Sequence, residues 1–140
     1  MKVSFDFDET LSRPDVQEFA RELLNDGFDV WVVTMRFVSR EEMVKYHNDE
    51  KKEWEGNEDL FLVTRNLGIP DEKVVFTNYQ WKSEFLKGKG FVWHLDDCAD
   101  ILTNIREECM EITPINSWNN SIWKNQCLTA LRPFSRELQN

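Results

Sequence analysis

Asp6 and Asp8 flank Phe7 at the end of a short apolar run, and Asp96-Asp97 closes a second run, Phe91 to Leu95. If the two run ends are neighbours, four carboxylates converge. They then raise one another's pKa unless a cation sits among them. Oxygen-only ligands of this kind suit Mg²⁺, which accepts a carboxylate or two and keeps waters and a substrate phosphate. Such a cation would neutralise the cluster and polarise a phosphoryl oxygen. Thr34 follows a third run, Phe28 to Val33, and Lys82 follows a fourth, Lys73 to Phe76. Each of these residues has an ordinary explanation on its own: a turn, a helix cap, a solvated lysine. What points to chemistry is that all of them lie at, or just beyond, the same end of their own predicted strands.

The elements that must position them follow from periodicity. Met1 to Phe7 reads as a short strand. Ser12, as cap, and Pro14 open a helix whose apolar positions are Val16, Phe19, Ala20, Leu23 and Leu24, stopped by Asn25-Asp26-Gly27. Phe28 to Val33 is too short for a helix and rich in β-branched residues, so it predicts a buried parallel strand. Ser39-Arg40-Glu41-Glu42 is a capping box. The charged stretch from Met43 to Gly56 reads either as a solvated helix or as an excursion. Leu60 to Leu67 predicts a helix, Lys73 to Phe76 a strand, Trp81 to Leu86 a short helix, and Phe91 to Leu95 a strand. Cys98 to Cys109 predicts another helix, and Glu111 to Thr113, before Pro114, a marginal fifth strand. Alternation of this kind predicts an α/β fold, a three-layer parallel sheet of about five strands with helices on both faces. Ligands of such sheets bind outside the carboxyl ends of the strands.

Phe5-Asp6-Phe7-Asp8-Glu9-Thr10-Leu11 resembles the first motif of the haloacid dehalogenase superfamily, a hydrophobic strand followed by DxDxT. Val32-Val33-Thr34 is similar to its second motif, Lys82 to its third, and His94-Leu95-Asp96-Asp97 to the DD form of its fourth. The resemblance covers residues 1–113 and implies a Rossmann-like phosphatase core there, with 114–140 as a C-terminal extension. It implies a Mg²⁺-dependent phosphomonoester hydrolase. Asp6 would be the nucleophile that forms an aspartyl-phosphate, and Asp8 the acid and base. Asp6, Asp8 (through its carbonyl), Asp96 and Asp97 would hold the metal, and Thr34 and Lys82 the phosphoryl oxygens. Thr10 and Arg36 would meet substrate. Glu9 departs from the pattern, since that position is usually Gly, and Lys73, Lys87 and Lys89 compete with Lys82 for the third motif. Two other readings keep the fold: a non-catalytic metal-binding module, and a phosphotransferase to an acceptor other than water.

Little chain is left for a cap. Asp6 to Thr34 holds one helix and one strand, and only residues 45–58 could form a small flap. The resemblance therefore implies an open site, with a phosphorylated small molecule or a nucleic-acid terminus as partner. Arg36 reads equally as a phosphate ligand or as the partner of a carboxylate. Tyr79 and Trp81 could stack a base, although core packing is the commoner use. His94 reads as structural and His47 as solvated. Seventeen basic against 26 acidic residues, a net charge of −9, argues against a sequence-blind nucleic-acid coat. No run is long enough to span a bilayer. The acidic N-terminus and three unpaired-looking cysteines, Cys98, Cys109 and Cys127, predict a cytoplasmic protein with reduced thiols. Trp118 to Leu131 is too apolar to float free and predicts either packing on the sheet or a homo-oligomer surface.

Overall fold

A computed structural model of the protein describes the backbone of residues 1–139 and side chains through Arg132. Strands β1 (Lys2–Phe5), β2 (Asp29–Thr34), β3 (Val74–Phe76), β4 (Phe91–Asp96) and β5 (Thr113–Asn116) form one sheet in the order β3-β2-β1-β4-β5. All pairings are parallel. Helices α1 (Pro14–Asn25), α2 (Arg40–His47), α3 (Glu58–Leu67), α4 (Ser83–Leu86), α5 (Ala99–Glu108) and α6 (Ile122–Gln139) flank it. This is the predicted α/β, Rossmann-like, three-layer arrangement. From β1 the chain builds outward through β2 and β3, then returns to place β4 on the other side of β1. Such a reversal opens a crevice outside the carboxyl ends of the two strands that flank it. Asp6 and Asp96 stand at those two ends.

The sheet's faces are covered separately. On one, Val3, Phe5, Val32, Trp93 and Leu95 meet Val16 and Phe19 of α1, Leu60 of α3, and Trp123, Cys127 and Leu131 of α6. The Phe19 ring contacts Phe5, Trp93 and Trp123 at centroid distances of 6.4, 6.2 and 5.4 Å. On the other face Val33 and Phe91 meet Leu86, Ile101, Ile105 and Cys109. The apolar tail is thus largely spent on the first core, while Trp118 stays exposed under the Arg13 guanidinium, 4.9 Å from its ring centroid. The three cysteines are free. No helix among the described residues is long and apolar enough to cross a membrane.

Several boundaries differ from the sequence expectation; β1, for one, ends at Phe5 instead of Phe7, because the chain turns away from Asp6 onward. Ser12 does not cap α1; Arg13 occupies that position without a side-chain capping bond, and the Ser12 hydroxyl instead accepts the Glu9 N–H at 3.1 Å. The fifth strand begins two residues later than expected and runs through Pro114 to Asn116. Proline is tolerated there because β5 is an edge strand, so the 113/114 boundary falls inside a strand. Residues 48–57 carry no regular structure, while α2 before them is capped as expected, Ser39 Oγ accepting the Glu42 N–H at 3.2 Å. Asn140 and the side chains beyond Arg132 in the 114–140 extension lie outside the described residues.

Candidate functional site

The segment after β1 leaves the sheet in one wide turn. Asp6 N–H donates to Leu95 O of β4 (2.8 Å), Leu11 N–H to Asp6 O (3.0 Å), and Ser12 N–H to Phe7 O (2.9 Å). These bonds pin Asp6 against β4 and force Glu9 to φ +61°, the left-handed region. A residue with a Cβ costs roughly 1 kcal/mol or more there, whereas Gly adopts it freely but loses more chain entropy on folding. Glu9→Gly therefore raises stability by about 0.5 kcal/mol, read as a higher urea midpoint. A lower midpoint would mean that the glutamate side chain, and not its backbone, governs the position.

Strand β4 carries the second half of the site through a bulge. Lys2 pairs with Phe91 but Ser4 with His94, so β4 holds one extra residue. The bulge changes the phase of the strand: Phe91 belongs to one core, whereas Trp93 and Leu95 belong to the other. It brings His94 beside Ser4, with the Ser4 Oγ to His94 Nδ1 distance 2.7 Å, and Asp96 next above it on the strand. His94 Nε2 lies 2.8 Å from Asp96 Oδ2. Burial holds the imidazole pKa below its ordinary value despite Asp96, so the ring is neutral. An ionised Asp96 can only accept, so Nε2 carries the proton and Nδ1 accepts from the Ser4 hydroxyl. Cys98 N–H donates to Asp96 Oδ1 at 3.0 Å.

Lys82 is brought to this point from the far side of the sheet. After β3 the chain turns back along the strand ends, with Thr77 N–H on Thr34 O (2.8 Å) and Tyr79 N–H on Met35 O (2.9 Å). The turn needs two consecutive left-handed residues, Asn78 (φ +52°) and Tyr79 (φ +69°). Strain of this kind persists only where surrounding bonds over-determine it. Here the Asn78 side chain also accepts the Val38 N–H at 2.9 Å. Buried Lys82 Nζ then donates to Asp6 Oδ1 (2.8 Å) and Asp96 Oδ2 (2.6 Å). The competing lysines are elsewhere; Lys73 pairs with Asp29 at 2.7 Å, and Lys87 and Lys89 are exposed.

One buried ammonium serves two buried carboxylates, and they share it unequally. Burial opposes the charge on Asp96, but His94 and Lys82 outweigh it and hold the carboxyl below the usual range. Burial pushes Asp6 well above that range; Lys82 works against the rise, while Asp96 and Asp97 add to it. Burial also opposes the charge on Lys82, but the two carboxylates prevail and its pKa stays raised. One carboxylate oxygen from each of Asp6, Asp96 and Asp97 lies within 4.8 Å of the other two. Carboxylates gathered in this way repel one another unless a proton or a cation sits among them. The donor set therefore fits a hard divalent cation such as Mg²⁺, with oxygen ligands only.

The remaining expected residues divide. Thr34 is fully buried and lines the cleft, its Oγ1 3.3 Å from the Arg36 N–H. Thr10 does not line the cleft; it is buried with its hydroxyl 3.0 Å from Ser117 Oγ, joining the turn to the end of β5. The Asp8 side chain is outside the three-carboxylate group. Both its oxygens accept from Arg36, Nε to Oδ2 at 2.9 Å and Nη2 to Oδ1 at 2.7 Å. Arg36 also grips Asp59 at the start of α3, at 2.7 and 2.8 Å. Of its two readings, carboxylate partner is therefore the one seen. Tyr79 and Trp81 are about half exposed and belong to neither core. Sequence reasoning missed Asp59 and the Ser4–His94 support of Asp96, because nothing in their spacing marks them. Comparison of the chain with protein-family models, curated proteins and solved structures finds no match.

Proposed function

We propose that the protein is a Mg²⁺-dependent phosphomonoester hydrolase of the haloacid dehalogenase type, working through Asp6. One observation carries this reading: at the sheet's reversal point, buried Asp6 and Asp96 share Lys82 while Asp97 crowds Asp6. Asp6, Asp96 and Asp97 would hold Mg²⁺, with the Asp8 carbonyl that the resemblance assigns; when bound, the ion neutralises the carboxylates and polarises a phosphoryl oxygen. Asp6 attacks phosphorus, the P–O bond to the alcohol breaks, and Asp8 gives that oxygen a proton. Asp8 then takes a proton from water, which attacks the aspartyl-phosphate, releasing inorganic phosphate and restoring Asp6. Lys82 keeps Asp6 from repelling the incoming phosphate and, with the Thr34 hydroxyl, donates to phosphoryl oxygens as charge builds on them. Both Asp8 oxygens accept from the Arg36 fork, so Asp8 leaves Arg36 before it carries the leaving-group proton.

The test is hydrolysis of an aryl phosphate by the wild-type chain. Turnover depends on added Mg²⁺ and stops with a chelator, and the ion raises the thermal midpoint because it binds the folded state alone. A second reading, a non-catalytic module that keeps the cation site, is favoured by the complete engagement of Asp8 with Arg36. A midpoint raised by Mg²⁺ with no turnover of any phosphomonoester would establish it.

A further inference from the structure

Beside the cleft lies an open basin of ≈ 690 Å³, lined by Phe37, Glu53, Trp54, Glu55, Glu58 and Asp59 among others. The cleft itself measures ≈ 290 Å³, and the two share Asp8, Arg36 and Phe37. A phosphomonoester with its phosphorus at Asp6 has this basin available for the rest of the molecule. Its walls combine two aromatic side chains, Phe37 and Trp54, with negative charge. Phe37 in turn stacks on Tyr79 of the cleft (5.9 Å, 13°), which is about half exposed.

Charge decides what can enter. Among the described residues, Glu53, Glu55 and Glu58 have no ion-pair partner. The cations that line cleft and basin are Arg36 and Lys82, each already held by two carboxylates. A second phosphate would find no free cation, and an oligonucleotide would meet repulsion along the wall. A positively charged group would meet unpaired carboxylates beside the Phe37 and Trp54 side chains, the surroundings that favour ammonium ions.

We infer that the alcohol portion of the substrate carries a positive charge, so that the phosphate sits at Asp6 and an ammonium or guanidinium group in the basin. This rests on the hydrolase reading for the position of the phosphate, and deepens it by naming the substrate class. The cation could belong to a small amino alcohol or to a basic residue beside a phosphorylated side chain.

With Mg²⁺ present, kcat/KM is compared for phosphocholine, phenyl phosphate and a 5′-phosphorylated trinucleotide. Phosphocholine exceeds phenyl phosphate by about 10-fold at low salt, and the trinucleotide is slowest. Added salt shrinks the first advantage and speeds the trinucleotide. Glu53→Gln with Glu55→Gln lowers kcat/KM for phosphocholine at least about fivefold more than for phenyl phosphate. Phosphoserine peptides with flanking lysines or flanking glutamates separate the two sources of the cation; only a peptide source makes the lysine peptide the better of all the substrates. Calorimetric Kd values for phosphocholine and phenyl phosphate are measured on the same protein. Tighter phosphocholine binding without any turnover overturns the hydrolase reading and keeps this one. Equal or reversed affinities overturn this one, whatever the turnover.

Discussion

Asp6→Asn lowers turnover of an aryl phosphate by at least about 10³-fold at saturating Mg²⁺ while the thermal midpoint holds or rises. The first half follows from chemistry: an amide oxygen is too poor a nucleophile to form an acyl phosphate. The second follows from the charges. In the wild type one ammonium is shared by Asp6 and Asp96, and Asp6 is the carboxylate that burial leaves well above the usual range. An asparagine leaves Lys82 and Asp96 as a balanced pair, still supported by His94 and the Cys98 N–H. It also removes the carboxylate that crowds Asp97. Two measurements check this: steady-state turnover over a Mg²⁺ titration, and peptide mass analysis of acid-quenched protein, in which phosphate appears on Asp6 of the wild type and on no residue of the variant. Activity that survives the substitution would remove Asp6 from its role.

The positions of the acidic residues could be read without a structure because strand ends are local features. Runs such as Val30-Trp31-Val32-Val33 announce β2, and the residue after each run must lie at the carboxyl edge of a parallel sheet. What brings the carboxylates into contact could not be read so directly. The run Phe91-Val92-Trp93-His94-Leu95-Asp96 fits either phase of alternation, and only pairing with β1 shows the bulge that sets His94 and Asp96 beside Ser4. Likewise, 26 acidic residues offer Arg36 more partners than spacing can rank, so its grip on Asp8 and Asp59 waits on the fold. Pro114 reads as a strand stop because proline cannot donate to a ladder, yet an edge strand has a side where nothing needs donating. Trp123, Cys127 and Leu131 do recur at helical spacing, but the asparagines around them conceal the stripe.

The basin and the cleft differ in the same respect. Charges in the cleft are local to strand ends and compensate one another through Lys82. Most of those of the basin come from the irregular stretch 48–57, a charged run with Trp54 in it, and from Glu58 and Asp59 at the start of α3. A run of that composition is usually a solvated face. Its placement against Arg36, through Asn57 and Asp59, is what turns it into a wall of the site.

Lys82→Met destabilises the fold by about 3–5 kcal/mol, because it strips the cation from two buried carboxylates without removing either. At this chain length that is a midpoint lower by roughly 10 °C or more. The loss is unequal between the partners. Asp96 keeps His94 and the Cys98 N–H, whereas Asp6 keeps no charged donor. Adding Asp6→Asn to Lys82→Met therefore recovers about 1–3 kcal/mol, although neither change alone is stabilising by that amount, since the two side chains interact directly. Mg²⁺ separates this account from a simple packing defect. In Lys82→Met the ion meets carboxylates with no competing ammonium, so it raises the midpoint by more than it does in the wild type. Turnover nonetheless stays at least about 10²-fold below wild type, because the donor to the phosphoryl oxygens is gone. A variant as stable as the wild type, or one in which Mg²⁺ has no greater effect, would show that the two aspartates do not depend on this lysine, and with that the shared buried charge on which the site is built would be lost.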